Sequence, residues 1–157
     1  MGTRHKGPKP EVLALDAYIK LMRAADSVTA RAHAVLPAGV TLTQFAALEA
    51  LFHLGPLCQS ELATKLLKSG GNLTLVVDNL ERDGLVLRTR DTVDRRFIKV
   101  DLTPKGRRFI GALFPKVAAS LTREFAALSP RDQLALARVC KRLGHGRPRP
   151  AYADAAT

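Results

Sequence analysis

Leu85-Val86-Leu87-Arg88-Thr89-Arg90-Asp91-Thr92-Val93-Asp94-Arg95-Arg96-Phe97-Ile98-Lys99-Val100-Asp101-Leu102 is the stretch on which the fold turns. Leu85 to Arg90 and Phe97 to Leu102 read as two strands, and the polar segment Asp91 to Arg96 joins them into a hairpin. Everything around it has the period of helices. Immediately upstream, Leu73, Val76, Val77 and Leu80 mark the inner face of a helix from about Asn72 to Arg82, with Gly84 suited to its C′ position. Ser69-Gly70-Gly71 separates it from a helix spanning Gln59 to Leu67, with Cys58 at the N-cap and Glu61 at N3. Before that, Thr43 is placed as the cap of a helix through Phe45, Leu48 and Leu51, which His53-Leu54-Gly55-Pro56 stops.

The flanks are longer. Val12, Leu15, Ile19, Met22, Thr29 and Leu36 set a helix from Glu11 to Leu36, ended by Pro37-Ala38-Gly39. After the hairpin, Thr103-Pro104 is a hydroxyl cap followed by proline at the first helical position. That helix reaches about Ala127 through Ile110, Leu113, Val117, Leu121 and Phe125, with a kink expected at Pro115. Ser129-Pro130-Arg131-Asp132 opens a last helix ending near Gly144. Residues 1–10 read as a loose basic arm and residues 145–157 as a frayed tail. The expected fold class is mainly α with a small β-hairpin wing: a winged helix-turn-helix lobe (42–106) with outer helices (11–36 and 107–144) inside one domain, 11–144. The apolar stripes of the outer helices have nothing in this module to bury them.

Charge points to a partner. The chain carries a formal net charge of +11 over 157 residues, which favours a polyanion such as nucleic acid. No apolar run reaches the roughly 18 residues of a membrane span, and the polar basic start does not read as a signal peptide, so a cytoplasmic protein without a membrane partner is expected. Cys58 and Cys140 have no metal-type spacing, so neither a metal nor another cofactor is expected. No nucleophile elbow, phosphate loop or paired carboxylates suggest an enzyme.

The placement of polar residues is more telling than their number. Lys68, Ser69, Gly71, Asn72, Thr74, Asn79 and Arg82 surround the start and outer face of the Asn72–Arg82 helix. Asn and Thr can read base edges, and glycines allow a close approach, although an ordinary loop and cap would use the same residues. The hairpin gathers Arg88, Arg90, Arg95, Arg96 and Lys99, followed by Lys105, Arg107 and Arg108. So much repulsion does not serve stability, whereas an Arg at a hairpin tip can enter a minor groove. Asp94 can pair with Arg96 and hold the tip.

Asp94-Arg95-Arg96-Phe97-Ile98-Lys99-Val100-Asp101-Leu102-Thr103-Pro104-Lys105-Gly106 resembles the signature of the MarR family of bacterial regulators: Asp-x-Arg, three residues, Val-x-Leu-Thr, two residues, Gly. Gly55-Pro56-Leu57, Glu61-Leu62-Ala63 and Asn79 to Val86 are similar to further scaffold segments of that family. The resemblance implies a homodimer joined through the first, fifth and sixth helices. It also implies a pseudo-palindromic double-stranded DNA operator, and release of DNA by a small phenolic or aromatic acid or by cysteine oxidation. The string Leu67 to Thr74, together with His53 to Pro56, is similar to a branch that senses quinones and hydroquinones. An effector pocket of the family type would draw on Tyr18, Met22, Arg23, His33, Phe45 and His53. Each of these is as readily a core or surface residue. Cys58, at a helix N-terminus, is the candidate for a thiol switch. A winged-helix module binding RNA or protein is the remaining alternative.

Overall fold

A computed structural model describes residues 3–66, 70–90 and 97–145. Their order is α1 (Lys9–Ala32), α2 (Leu42–Leu54), β1 (Leu57–Cys58), α3 (Gln59–Lys65), α4 (Gly70–Arg82), β2 (Val86–Arg90), β3 (Ile98–Leu102), α5 (Pro104–Phe125) and α6 (Pro130–His145). The chain divides into two compact units, Met1–Leu121 and Thr122–Thr157, with the boundary inside α5.

Local chemistry sets each boundary. α2 is capped by Thr41, not Thr43. The Thr41 hydroxyl accepts from Gln44 N at 3.2 Å, and Gln44 Oε1 accepts from Thr41 N at 2.8 Å. This reciprocal box needs a Gln or Glu three residues after the cap, which Thr41 has and Thr43 lacks. At α3, Glu61 Oε2 accepts from Cys58 N at 2.8 Å. Gly70 and Gly71 belong to the first turn of α4 and do not break it. Burial of Leu73, Val76, Val77 and Leu80 on one face of that helix outweighs the poor helix propensity of two glycines. Its other end closes as expected on Gly84 at φ 70°, where Leu85 N donates to Leu80 O and Gly84 N to Glu81 O, both at 2.9 Å.

The sheet has three antiparallel strands in the order β1-β3-β2, with Leu57 opposite Val100 and Arg88 opposite Val100 on the other side. The sequence reading has two strands and misses β1, which at two residues is too short to show a period. One core joins the lobe: Leu48 and Leu51 of α2, Leu62 of α3, Leu73, Val77 and Leu80 of α4, Val86 and Val100 of the sheet, and Ile110, Leu113 and Val117 of α5. α5 runs through Pro115 as a single helix.

The Leu-Thr-x-x-Gly motif has a physical account. Leu102 is buried, and Thr103 Oγ1 donates to Gly84 O at 2.7 Å while accepting from Gly106 N at 2.9 Å. The cap of α5 therefore also ties down the turn after α4. Gly106 sits against the Leu85 backbone so closely that a Cβ there would lie 1.9 Å from Leu85 O.

α1 contributes only Ala32 to the buried set, leaving Leu13, Leu15, Tyr18 and Met22 exposed. In the second unit, Ser129 Oγ caps α6 by accepting from Asp132 N at 3.2 Å. Leu134, Leu136, Val139 and Leu143 of α6 are exposed.

Candidate nucleic-acid interface

The inner face of α4 fixes what the outer face shows. With Leu73, Val76, Val77 and Leu80 turned to the core, Gly71, Asn72, Thr74, Leu75, Asp78 and Arg82 are exposed and Asn79 is half-buried. The first turn carries no acidic residue, so the positive end of the helix dipole is not offset there. Leu75, 62% exposed, is a member of this face that the sequence reading passes over, although its phase opposite Leu73 would have placed it. Lys68 and Ser69 lie outside the described residues.

Arg88 behaves differently from Arg90, the other described arginine of the wing. Its guanidinium is turned inward, 19% exposed, with Nη2 2.7 Å from Asp78 Oδ1 and Nη1 2.7 Å from Glu81 Oε2. Burial draws its pKa down, but hydrogen bonds and charges from Glu81 and Asp78 outweigh burial and raise it above the ordinary value. It is a permanent cation that neutralises two carboxylates on α4. Expected from sequence as a DNA contact, it has its guanidinium committed within the lobe, because the Gly84 turn lays β2 back along α4. Arg90 is exposed at the far end of β2, and Lys99 is half-buried on β3. Asp94, Arg95 and Arg96 lie outside the described residues. In the first turns of α5, Lys105 Nζ donates to Asp83 O at 2.7 Å, satisfying the end of α4, and Arg107 approaches Asp101 at 3.9 Å.

A short helix, a second helix with an exposed polar face and a basic hairpin, held on one core, form a winged helix-turn-helix. The sequence profile of the MarR family matches residues 40–98, from the turn before α2 into β3. The uncharacterised HTH-type transcriptional regulator YkoM of Bacillus subtilis is 37% identical over 106 residues, covering 68% of this chain and 69% of its own. The chain belongs to the MarR family. MhqR of Bacillus subtilis, an HTH-type transcriptional regulator, is 33% identical over 106 residues, 68% of this chain and 73% of its own. The crystal structure of AbsC, a MarR family regulator from Streptomyces coelicolor, shares the fold with a TM-score of 0.79 at 24% identity, covering 92% of this chain and 97% of that one. The protein is thus a DNA-binding transcription regulator of the MarR family and not an enzyme.

The six residues expected around an effector do not gather at one place. His33 meets Phe45 edge-on at 5.7 Å, and its Nδ1 is 3.0 Å from Thr29 O. His53 meets Phe52 at 5.2 Å and Phe114 at 4.7 Å. Tyr18, Met22 and Arg23 are exposed on α1. His53 also borders an open depression of about 300 Å³ with Ala46, Glu49, Ala50, Leu54, Lys65 and Leu66. Cys58 is half-buried beside Gln59, Ser60, Phe97 and Ile98 in a cleft of about 290 Å³, and Cys140 is exposed on α6. Among the described residues no group of His, Cys, Asp and Glu could hold a metal, and no helix is long and apolar enough to cross a membrane.

Proposed function

We propose that this regulator is a homodimeric repressor. In this reading it binds a pseudo-palindromic duplex with α4 in the major groove and the β2–β3 hairpin beside the minor groove. A small phenolic, quinone-like or aromatic-acid ligand releases it. The observation that carries the DNA-binding geometry is the exposed Gly71, Asn72 and Thr74 at the start of α4, on a helix whose opposite face is locked into the core. Glycine allows close approach to the duplex, and Asn and Thr supply donors, acceptors and a methyl for base edges. Lys68, before α4, and Arg82, at its end, are assigned to phosphates, as are Arg90 and Arg95, while Arg96 is assigned to the minor groove and Asp94 to holding it. Repression is favoured by the repressor MdtR of Bacillus subtilis, 31% identical over 105 residues.

The exposed apolar residues of α1 and α6 favour a dimer built from residues 11–36 and 107–144, with recognition helices on the order of 34 Å apart. For the effector, support comes from two proteins of the same fold. BpsR of Bordetella bronchiseptica, whose DNA binding is regulated by 6-hydroxynicotinic acid, has a TM-score of 0.74 at 23% identity. NadR in complex with 4-hydroxyphenylacetate has a TM-score of 0.72 at 23% identity.

The test is a mobility-shift titration of the full chain on a duplex selected by the protein from a random-sequence pool. 6-Hydroxynicotinate, 4-hydroxyphenylacetate and hydroquinone are then added in turn. One duplex sequence should be enriched and bound, and at least one of the three compounds should release it. Failure to enrich any duplex sequence, or equal binding to single-stranded RNA, would overturn the DNA reading; release by none of the three would overturn the effector class. On the same duplex, Arg96→Ala should lower the slope of log affinity against log salt by about one. An unchanged slope and affinity would remove Arg96 from the interface.

A further inference from the structure

The hydroxyl of Thr74 is already committed within the lobe, and the direction of each hydrogen bond around it can be deduced. Arg88 has no acceptor, so the contact of its Nε with Gln59 Oε1, at 3.3 Å, must be donated by the arginine. That fixes the Gln59 amide: its oxygen faces Arg88 and its Nε2 donates to Thr74 Oγ1 at 2.8 Å. Thr74 Oγ1, accepting there, donates its single proton to Gly70 O at 3.0 Å, one turn back along α4. Arg88 Nη2 also reaches Thr74 O at 3.4 Å. The arginine is held in turn by Asp78 and Glu81, and Glu81 Oε1 accepts the backbone N–H of Arg88 at 3.0 Å. A continuous path thus runs from the root of the wing, through the first residue of α3, to the start of α4.

A helical Thr divides between two rotamers because its hydroxyl can bond a carbonyl of the preceding turn. Here Gln59 adds a second partner to one of them and so selects it. Thr74 remains exposed. With its proton spent on Gly70 and an acceptor position filled by Gln59, it has no donor for a base edge. It can still offer one acceptor position and its methyl group, and since the major-groove edge of thymine presents an acceptor and a methyl, only the methyl suits thymine.

We propose that Thr74 reads thymine by apolar contact of its γ-methyl with the C5-methyl of the base, and that Gln59 and Arg88 are positioning residues that hold it in that orientation. This rests on α4 lying in the major groove. It also assigns the α4 carboxylates a purpose: Asp78 and Glu81 anchor Arg88, and Arg88 cancels the repulsion they would exert on phosphates.

The probe is the duplex selected by the full-length protein, with thymines in its half-sites replaced singly by deoxyuridine, a change that removes only the C5-methyl. At one position per half-site, deoxyuridine should weaken wild-type binding about fourfold, and on the order of fifteenfold when both half-sites are changed. Thr74→Val keeps a methyl and should keep that penalty. Thr74→Ser lacks it and should bind the thymine and deoxyuridine duplexes equally. Gln59→Met removes the bridge without changing charge. It should shrink the penalty while leaving affinity for a scrambled duplex unchanged, a split that a merely structural role would not produce. Arg88→Lys, which keeps the charge but loses the planar fork, should do the same.

Absence of a penalty at every thymine, or a selected site with no thymine in its half-sites, would overturn the proposal. So would a full penalty retained in Thr74→Ser, which would move methyl reading to a neighbour such as Leu75. If instead Asn72→Ala and Thr74→Ser both bind the selected duplex as wild type does, α4 is not in the groove and the underlying reading fails first.

Discussion

Gly106→Ala is expected to destabilise the DNA-binding lobe by roughly 3 kcal/mol or more, at the upper end of what overpacking costs. The added Cβ would lie 1.9 Å from Leu85 O and 2.8 Å from Leu85 C. Neither side can yield cheaply. Leu85 is buried, its N–H is bonded to Leu80 O, and its carbonyl accepts from Thr103 N at 3.0 Å. Gly106 is held by its own N–H on the Thr103 hydroxyl at 2.9 Å. Relief would require separating α5 from the turn that joins α4 to β2, which opens the core beneath Val86 and Ile110. The shift should appear in the urea midpoint followed by circular dichroism. Gly144→Ala, with nothing within 4 Å of the added carbon, serves as a control expected to show no loss. An unchanged midpoint for Gly106→Ala would mean that the close approach at Leu85 is not a feature of the folded protein.

Leu134→Glu combined with Leu143→Glu is expected to convert a dimer into a monomer and to lower affinity for the selected duplex by about a thousandfold. The two leucines are 73% and 67% exposed on α6, an arrangement that costs solubility unless another surface covers it. α1 has the same character, with Leu13 and Tyr18 each 61% exposed. A dimer on a two-fold duplex gains from linkage: once one lobe is bound, the second binds at high effective concentration, worth about two to four powers of ten in affinity. Light scattering after size exclusion at micromolar concentration gives the state of assembly, and titration of the same samples gives the affinity. A dimer that survives both charges would place the interface elsewhere, and a wild-type monomer that binds the duplex tightly would overturn the dimer itself. Removal of residues 1–36 should leave insoluble or unfolded chains, since in the proposed dimer α1 covers the apolar stripe of α5.

The lobe was readable where a period or a stereochemical requirement repeats. Leu73, Val76, Val77 and Leu80 gave α4 its phase, Thr103-Pro104 gave α5 its start, and Gly84 gave α4 its end. β1 was not readable, because two residues carry no period and become a strand only when β3 pairs with them. Thr43 reads as a cap by residue type alone; what separates it from Thr41 is the glutamine three residues on, which only Thr41 has. The start of α4 lies two residues before the expected Asn72, because packing of its inner face carries the helix through Gly70 and Gly71 despite their low propensity. For the binding face, the helix phase placed Asn72 and Thr74 correctly at the surface. What sequence could not show is that Arg88 has its partners seven and ten residues back: in a strand it looks like its neighbour Arg90, and only the turn at Gly84 brings it onto Asp78 and Glu81. The effector side remained least legible. Aromatic and histidine residues serve a core as well as a pocket, and the structure puts His33 with Phe45 but His53 with Phe52 and Phe114.

The claim that α4 is the reading helix is tested most directly by titrating wild type and Asn72→Ala on two duplexes, the selected one and a scrambled one, at a single salt concentration. Asn72 is exposed immediately after the paired glycines, and its amide matches the donor and acceptor of adenine in the major groove. The account predicts that Asn72→Ala loses roughly 1–3 kcal/mol on the selected duplex and almost nothing on the scrambled one. Equal losses on both duplexes, or no loss on either, would contradict it.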